Sequence, residues 1–274
     1  MSRSTVCITC DFDAVSAWLH LFDAGESPTK LSRGLFGVDH GTPRLLDLFD
    51  RHDIETTWFV PGHTIESFPD VCETVWSRGH EVQHHGWTHR PLSSYETEAE
   101  ERADIERGIE SIEALTGRRP VGFRSPSWDF SPRTLSILRD LEFEWDSSQM
   151  GSDFLPYRLH DDWEAPLDGP FDRGVPTEIV ELPVSWQRDD FPPFAYRRGQ
   201  GFVTERSVFD QWQAQFEWMH EHVDDGVFVL TIHPQVSGQS HRLANLERLL
   251  ESMRARSDVE FRTLSSVVDA FVDR

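Results

Sequence analysis

The sequence predicts an α/β protein, a mostly parallel sheet with helices outside it. Three observations carry this. Short apolar runs of strand length alternate with amphipathic stretches of helix length six or seven times along the 274 residues, the pattern of a parallel sheet. No linker interrupts the alternation, so one domain is expected over residues 1–274. Polar residues gather where the strands stop: Asp11 and Asp13, His85 and His89, Arg124, Asp146 and His233. In a parallel barrel the chemistry sits at those C-terminal strand ends.

In chain order, Val6 to Cys10 reads as a short buried strand. Residues 14–40 are irregular. Trp18, Leu19 and Leu21 are apolar, then Gly25, Pro28, Gly34 and Gly37 break the pattern, so a lid or insertion beside the site is expected. Thr42-Pro43 opens a helix with proline in its first turn, and Leu45, Leu46 and Phe49 form its apolar face. Residues 56–60 are a strand closed by Pro61-Gly62, 65–77 a helix, and 81–83 the strand before the histidines. Residues 97–115 form a charged helix whose Ile105, Ile109, Ile112 and Leu115 keep a 3–4 spacing. Thr116-Gly117 ends it. Val121 to Phe123 is a strand, and Ser131-Pro132 caps a helix through Leu141. Residues 143–145 are a strand, and 150–177, rich in Gly, Pro and Asp, a long loop. A strand over 179–182, a helix over 204–222, the most apolar strand over 227–232, a helix striped by Leu243 to Met253, a strand over 259–261 and a helix from Leu264 complete the chain.

With 38% hydrophobic and 12% aromatic residues, a soluble globular protein is expected. No apolar run approaches the roughly 18–20 residues of a membrane span. Met1 to Thr5 lead straight into the first strand without a secretory signal, which points to the cytoplasm and to no membrane partner. The 26 basic against 48 acidic residues leave −22. Such a surface repels phosphate backbones, so nucleic acid is excluded as a partner. Lys30 is the one lysine among them. Acid enrichment with lysine depletion resembles a halophilic proteome, where a Debye length of roughly 3 Å at about 1 M salt screens the self-repulsion. The alternative is an ordinary acidic enzyme from a GC-rich gene. Cys7, Cys10 and Cys72 are too few for a disulfide framework. Cys7-x-x-Cys10 is half a zinc or redox site with no second pair, and a strand puts the two thiols on opposite faces, so buried thiols are expected.

The stretch His84-His85-Gly86-Trp87-Thr88-His89 is the strongest candidate for chemistry. On a helical turn, residues four apart share a face, so His85 and His89 can reach one ion. A divalent metal held by nitrogen ligands commonly takes a carboxylate as third ligand and keeps an open position. Asp13, in Asp11-Phe12-Asp13, supplies one. His84 reads as structural. The sequence alone does not decide whether His40, His63 or His241 approaches the pocket.

Five segments resemble the motifs of the polysaccharide deacetylase family, the NodB homology domain. They are Thr9-Cys10-Asp11-Phe12-Asp13, His85-Gly86-Trp87-Thr88-His89, Arg124-Ser125-Pro126, Asp146-Ser147-Ser148 and Leu230-Thr231-Ile232-His233-Pro234, in the family's order across most of the chain. Leu182 to Trp186 and Asp189-Asp190-Phe191-Pro192 look more like its cytoplasmic branch of peptidoglycan-deacetylase-like proteins, cyclic imide hydrolases and metal-independent allantoinases. The resemblance implies a distorted (β/α) barrel of seven or eight strands, carbohydrate esterase family four chemistry and a homo-oligomer. It implies Asp13, His85 and His89 as the metal triad, Asp11 as general base, Arg124 holding that base, and His233 as general acid with Asp146 as partner. The first motif here reads Asp-Phe-Asp-Ala, where secreted deacetylases carry a Phe-Asp-Asp-Gly-like segment. A polymer substrate is therefore open to question.

Amide hydrolysis needs a nucleophile at neutral pH, stabilisation of the oxyanion and a proton for the leaving amine. One divalent ion, zinc first and cobalt, nickel or iron as alternatives, meets the first two needs. Asp11 and Asp13 lie two apart, on one face of an extended strand, so one can bind the ion while the other takes the water proton. Arg124 would keep Asp11 ionised, and Asp146 beside His233 would favour the imidazolium. Trp128, Trp186, Phe191 and Phe194 are candidates for an apolar wall over a sugar or imide ring. The leading expectation is N-deacetylation of an N-acetylated sugar or glycan precursor. The rivals are a hydrolase of cyclic imides or ureides and a non-catalytic sugar-binding protein on the same barrel.

Overall fold

The computed structural model describes residues 4–20, 27–196 and 203–273. Strand and helix alternate as the sequence predicts. The strands are β1 (Ser4–Asp11), β2 (Thr57–Val60), β3 (Glu81–His84), β4 (Gly122–Phe123), β5 (Trp145–Asp146), β6 (Tyr157–Asp161), β7 (Val175–Glu181), β8 (Val227–Ile232) and β9 (Val259–Phe261). The helices are α1 (Ala17–His20), α2 (Pro28–Phe36), α3 (Thr42–His52), α4 (Gly62–Ser67), α5 (Pro69–Ser77), α6 (Glu98–Thr116), α7 (Thr134–Asp140), α8 (Phe191–Phe194), α9 (Glu205–His222), α10 (Pro234–Ser237), α11 (Ser240–Arg254) and α12 (Leu264–Val272). One sheet runs β6-β7-β5-β4-β3-β2-β1-β8, with β9 beside β1, and every pairing is parallel except β6 with β7. This is the mostly parallel (β/α) barrel-like architecture the sequence predicts. Its open side, between the β6 and β8 ends of that order, is filled by irregular chain. Phe154 O accepts from Val227 N, Arg188 Nε donates to Val229 O, and Asp190 N donates to Thr231 O.

Side chains alternate across the strands and so sort into an inside and an outside. On β1, Val6, Ile8 and Cys10 point outward, as does Phe12 just beyond it, into a core shared with Leu45, Leu46 and Phe49 of α3 and Trp212 and Phe216 of α9. Cys7 points inward, to Phe59, Trp145, Val180, Leu182, Val227 and Val229. Leu264, Val267 and Val268 of α12 close that inner cluster from below. The three cysteines are free and buried, and Cys7 and Cys10 lie on opposite faces of β1 as expected.

Three local expectations change. Residues 150–177 are not one loop, because they hold β6 and the start of β7. In β6 only Leu159 is fully buried, so the strand lacks the alternation that marks a core strand. The helix over 65–77 is two, since Phe68 leaves helical geometry before Pro69. The stretch before Thr42-Pro43, expected to be irregular, holds α1 and α2. A π-helical turn, Gly37–Gly41, joins α2 to α3 in one run. The long helix α6 ends as the sequence predicts. Thr97 and Glu100 form a reciprocal cap at its start, and Gly117, at φ 68°, stops it.

Candidate active site

Parity on β1 carries Asp11 and Asp13 into the mouth of the barrel, where both are buried. His85 follows β3 and His89 follows a loop, not the helical turn expected from their spacing. Gly86 and His89 both take left-handed backbone, at φ 69° and 56°, and this folds the loop back so that the rings meet. The ring centroids lie 4.9 Å apart. The Nε2 atoms of His85 and His89 each lie 3.5 Å from Asp13 Oδ1. His85 Nδ1 donates to Arg124 O at 2.8 Å, which leaves Nε2 as a lone pair aimed at Asp13.

These three residues fit a cation. Asp13 Oδ1 is buried and has no hydrogen-bond partner among the described residues. Burial pushes the Asp13 carboxyl up to about 8 against the pull of His233, with Asp11 and Asp189 adding to the rise. Burial also lowers His85 to about 4 and His89 well below the usual imidazole range, so both are neutral, the ligating form. The set lacks only a positive charge.

Asp11 behaves differently. Burial opposes its ionisation, but the Arg124 guanidinium, with His85 and His233, outweighs burial and holds the carboxyl below its usual range. Arg124 Nη1 donates to Asp11 Oδ1 at 2.7 Å and to Thr9 Oγ1 at 2.9 Å. Its Nε and Nη2 donate to Ser147 O and Ser147 Oγ. The guanidinium is fully buried and lies 4.0 Å over the Phe59 ring. The other Asp11 oxygen, Oδ2, lies 3.9 Å from His85 Nε2, beside the candidate cation position.

His233 caps β8 on the same inner face as Val229 and Thr231, and its Nε2 lies 3.8 Å from Asp13 Oδ2. The expected partner is corrected here. Asp190, not Asp146, holds His233. Its Oδ1 accepts from His233 Nδ1 at 2.7 Å, and its Oδ2 accepts from His233 N and Ser237 Oγ. Burial alone would lower His233, but Asp190 foremost, then Asp189 and Asp13, raise it to about 10. The reason Asp146 misses is parity. Trp145 takes the inward position on β5, so Asp146 faces out. There it pairs in register with Glu181 of β7. Both carboxyls receive the Ser148 amide, and Ser148 Oγ donates to Asp146 Oδ1. Burial raises both above the usual carboxylate range. The signal for Asp190 was present in Asp189-Asp190, but no strand led to it.

Trp128 and Trp186 stack at 4.4 Å between centroids and line a cavity of about 220 Å³ with Phe191, Ala17 and the polar residues above. Ser127 and Trp128 both take left-handed backbone, at φ 60° and 54°, which turns the indole into the cavity. Phe194 is corrected. It lies in the outer core against Phe209 and Trp212, because α8 turns it away. Of the segment expected as a lid, 21–26 lie outside the described residues. Among the rest, Ala17 reaches the cavity. His40, His63 and His241 do not line it.

The sequence reading also missed the platform beneath the histidine loop. Asp104 of α6 accepts from the Trp87 amide at 2.8 Å, and hydrogen bonds from the Thr88 amide and Tyr95 converge on the same carboxyl. His84 Nε2 donates to Ile105 O, and its Nδ1 accepts from Gly86 N. A Cβ on Gly108 would lie 2.3 Å from His84 Nε2, so α6 reaches the loop only with glycine there. Trp87 is fixed by Glu66 through its indole N–H and by Arg107, 3.1 Å from its ring centroid.

The polysaccharide deacetylase model matches residues 16–145. A Helicobacter pylori protein named peptidoglycan deacetylase is 36% identical over 96% of this chain and 94% of its own length. This chain belongs to the polysaccharide deacetylase family. A Gibberella zeae peptidoglycan deacetylase-like protein is 30% identical over 98% of the chain and 87% of that relative. A solved structure assigned as a polysaccharide deacetylase from Mycobacterium smegmatis superposes with a TM-score of 0.86, at 32% identity, over 98% of this chain and 90% of that one. Within this chain the family match takes in His85, His89 and Arg124 but begins after Asp13 and stops short of β8, so Asp11, Asp13, Asp190 and His233 rest on the geometry described above. No helix among the described residues is long and apolar enough to cross a membrane.

Proposed function

We propose that this family member is a metal-dependent hydrolase of a non-peptide C–N bond, releasing acetate from the amide of an N-acetylated sugar. One observation carries the reading: Asp13, His85 and His89 converge around a carboxylate oxygen with no hydrogen-bond partner among the described residues, beside a separate carboxylate held ionised by Arg124. The near full-length similarity to a protein named peptidoglycan deacetylase supports the acetamido-sugar substrate. Asp13, His85 and His89 hold the cation, and two imidazoles with one carboxylate suit zinc first, then cobalt, nickel or iron. When bound, the cation supplies Lewis-acid stabilisation of the developing oxyanion and makes water at the site more acidic.

The chain's own groups do the rest. Asp11 takes the proton of the attacking water as general base, and Arg124 keeps it charged and aimed. His233 gives its proton to the leaving nitrogen, and Asp190 keeps that imidazole protonated and oriented. Trp128, Trp186 and Phe191 offer apolar faces to the ring and displace water from it.

The test is acetate release from acetamido sugars by zinc-loaded protein at high salt. It should vanish on chelation and in Asp11→Asn. No product from any sugar overturns the sugar assignment. The small cavity favours a second reading, ring opening of a cyclic imide or ureide, and parallel assays on hydantoin and succinimide separate the two. Sugar binding without turnover, unchanged in Asp11→Asn, would instead mark a binding protein.

A further inference from the structure

Gly62, His63 and Thr64 open α4 just past the end of β2. They touch both halves of the candidate metal site. On one side, Gly62 N donates to Gly86 O at 3.1 Å and His63 N donates to Trp87 O at 2.7 Å. Both carbonyls belong to the loop between His85 and His89. On the other side, Thr64 Oγ1 donates to the backbone carbonyl of Asp13 at 2.8 Å, and Ser16 N donates to the same oxygen at 2.9 Å. Thr64 and Ser16 are fully buried. A zinc-sized cation takes its nitrogen and oxygen ligands at about 2.0–2.2 Å, so the separation of Asp13 from the two rings has to be set closely.

The side chains form a directed chain. Ser16 Oγ lies 3.0 Å from Thr64 Oγ1 and 2.9 Å from His63 Nδ1. A hydroxyl carries a single proton. Thr64 gives its own to Asp13 O, so Ser16 gives its proton to Thr64, and His63 Nδ1 donates to Ser16 Oγ. That order satisfies every contact, and hydrogen bonds aligned head to tail polarise one another. At the head of the chain the His63 ring packs edge-on against Trp87, with centroids 5.6 Å apart. The approach is tight on the loop side as well. A Cβ on Gly62 would lie 2.4 Å from Trp87 Cδ1, so only glycine lets that amide reach Gly86 O.

Taking the cation from the reading above, we infer that the Gly62-His63-Thr64 turn is a strut that fixes the separation of Asp13 from His85 and His89. Thr64, backed by Ser16 and His63, is a positioning residue for the metal triad. It acts through the Asp13 backbone and touches neither cation nor substrate. Asp104 steadies the histidine loop from α6, whereas this turn joins that loop to the aspartate.

The experiment measures zinc affinity of the parent, Thr64→Val, Thr64→Ser and Ser16→Ala by chelator competition, with urea unfolding of each metal-free protein alongside. Valine keeps the shape of Thr64 and removes its hydroxyl. Thr64→Val should weaken zinc binding by about tenfold or more, the usual effect of losing a group that orients a ligand, while Thr64→Ser, which keeps the hydroxyl, should stay within about threefold of the parent. The visible d–d bands of cobalt-loaded Thr64→Val should shift, because the donor geometry changes. A merely structural role would lower the stability of the metal-free protein and leave zinc affinity and the cobalt spectrum alone. A smaller loss of zinc affinity in Thr64→Val, or a loss that Thr64→Ser does not restore, overturns the proposal. If Thr64→Val does not fold, Ser16→Ala decides in its place: zinc weaker by about threefold or more upholds the strut, and a smaller change overturns it. A parent that takes up no zinc, cobalt, nickel or iron overturns the metal reading and the strut together. A parent that binds zinc while Thr64→Val binds it as tightly overturns the strut alone.

Discussion

Two buried aspartates end separate strands of one sheet and meet opposite fates. Asp11 ends β1 on the inner face, against a guanidinium, and is held ionised. Asp146 ends β5 on the outer face, against a second carboxyl, and burial pushes both members of that pair toward their protonated forms. Burial penalises charge equally in both places. What differs is the neighbour, and the neighbour follows from which way an odd or even residue points. A polar residue at a strand end is therefore not yet a site residue.

The largest expected effect is on the inner side. Asp11→Asn should lower kcat/KM by about two to four orders of magnitude, the usual contribution of a general base, and should lower Tm as well, because the buried Arg124 loses its anionic partner. Asp146→Asn should lower kcat/KM less than about threefold on the same scale. Steady-state assays of the two variants side by side decide, and equal losses would break the comparison.

Arg124→Leu strands a buried charge on Asp11. The expected cost is about 3–5 kcal/mol of stability, read by urea unfolding. Glu181→Gln, which keeps shape while removing a carboxyl, should cost almost nothing at neutral pH.

Asp104→Asn sharpens the comparison from outside the barrel. Three donors converge on the carboxyl, and an amide offers them one accepting oxygen, so the histidine loop loosens. Zinc affinity, measured by chelator competition, should fall by about 10–100-fold, the usual effect of losing a group that orients a ligand. An unchanged affinity would show that His85 and His89 need no such support.

The smallest effect is on pH. The Asp146 and Glu181 carboxyls have folded-state pKa values above their unfolded ones. Their contribution is complete below the unfolded carboxyl range and is lost as pH rises through the folded values. Glu181→Gln should therefore gain stability over the parent as pH rises above about 4.5, the unfolded Glu range. Matched Tm curves from pH 4 to 8 that run parallel would contradict this.

Much of this was legible in the chain itself. Alternating apolar runs marked β1, β2, β3 and β8, and Asp11, Asp13, His85, His89, Arg124 and His233 do come together around one cavity. Trp128, Trp186 and Phe191 line it as expected. The rest was hidden for physical reasons. β6 is an edge strand with one fully buried residue, so its pattern looks like loop. Asp190 is carried by irregular chain that pairs with Thr231 through a single bridge, and no periodicity announces that. Asp104 lies on a charged helix where one more acidic residue stands out only once the loop above it is folded. Phe194 is an aromatic three places from one that does reach the cavity, and a short helical turn separates them.

The floor of the barrel has a consequence for synthesis. Leu264, Val267 and Val268 seal Phe59 and Trp145 from beneath, yet they follow all nine strands in chain order and so leave the ribosome after the sheet they close. Until they emerge, the nascent sheet has a greasy hole at its base, and a chain stalled before Leu264 would be a ready client for chaperones.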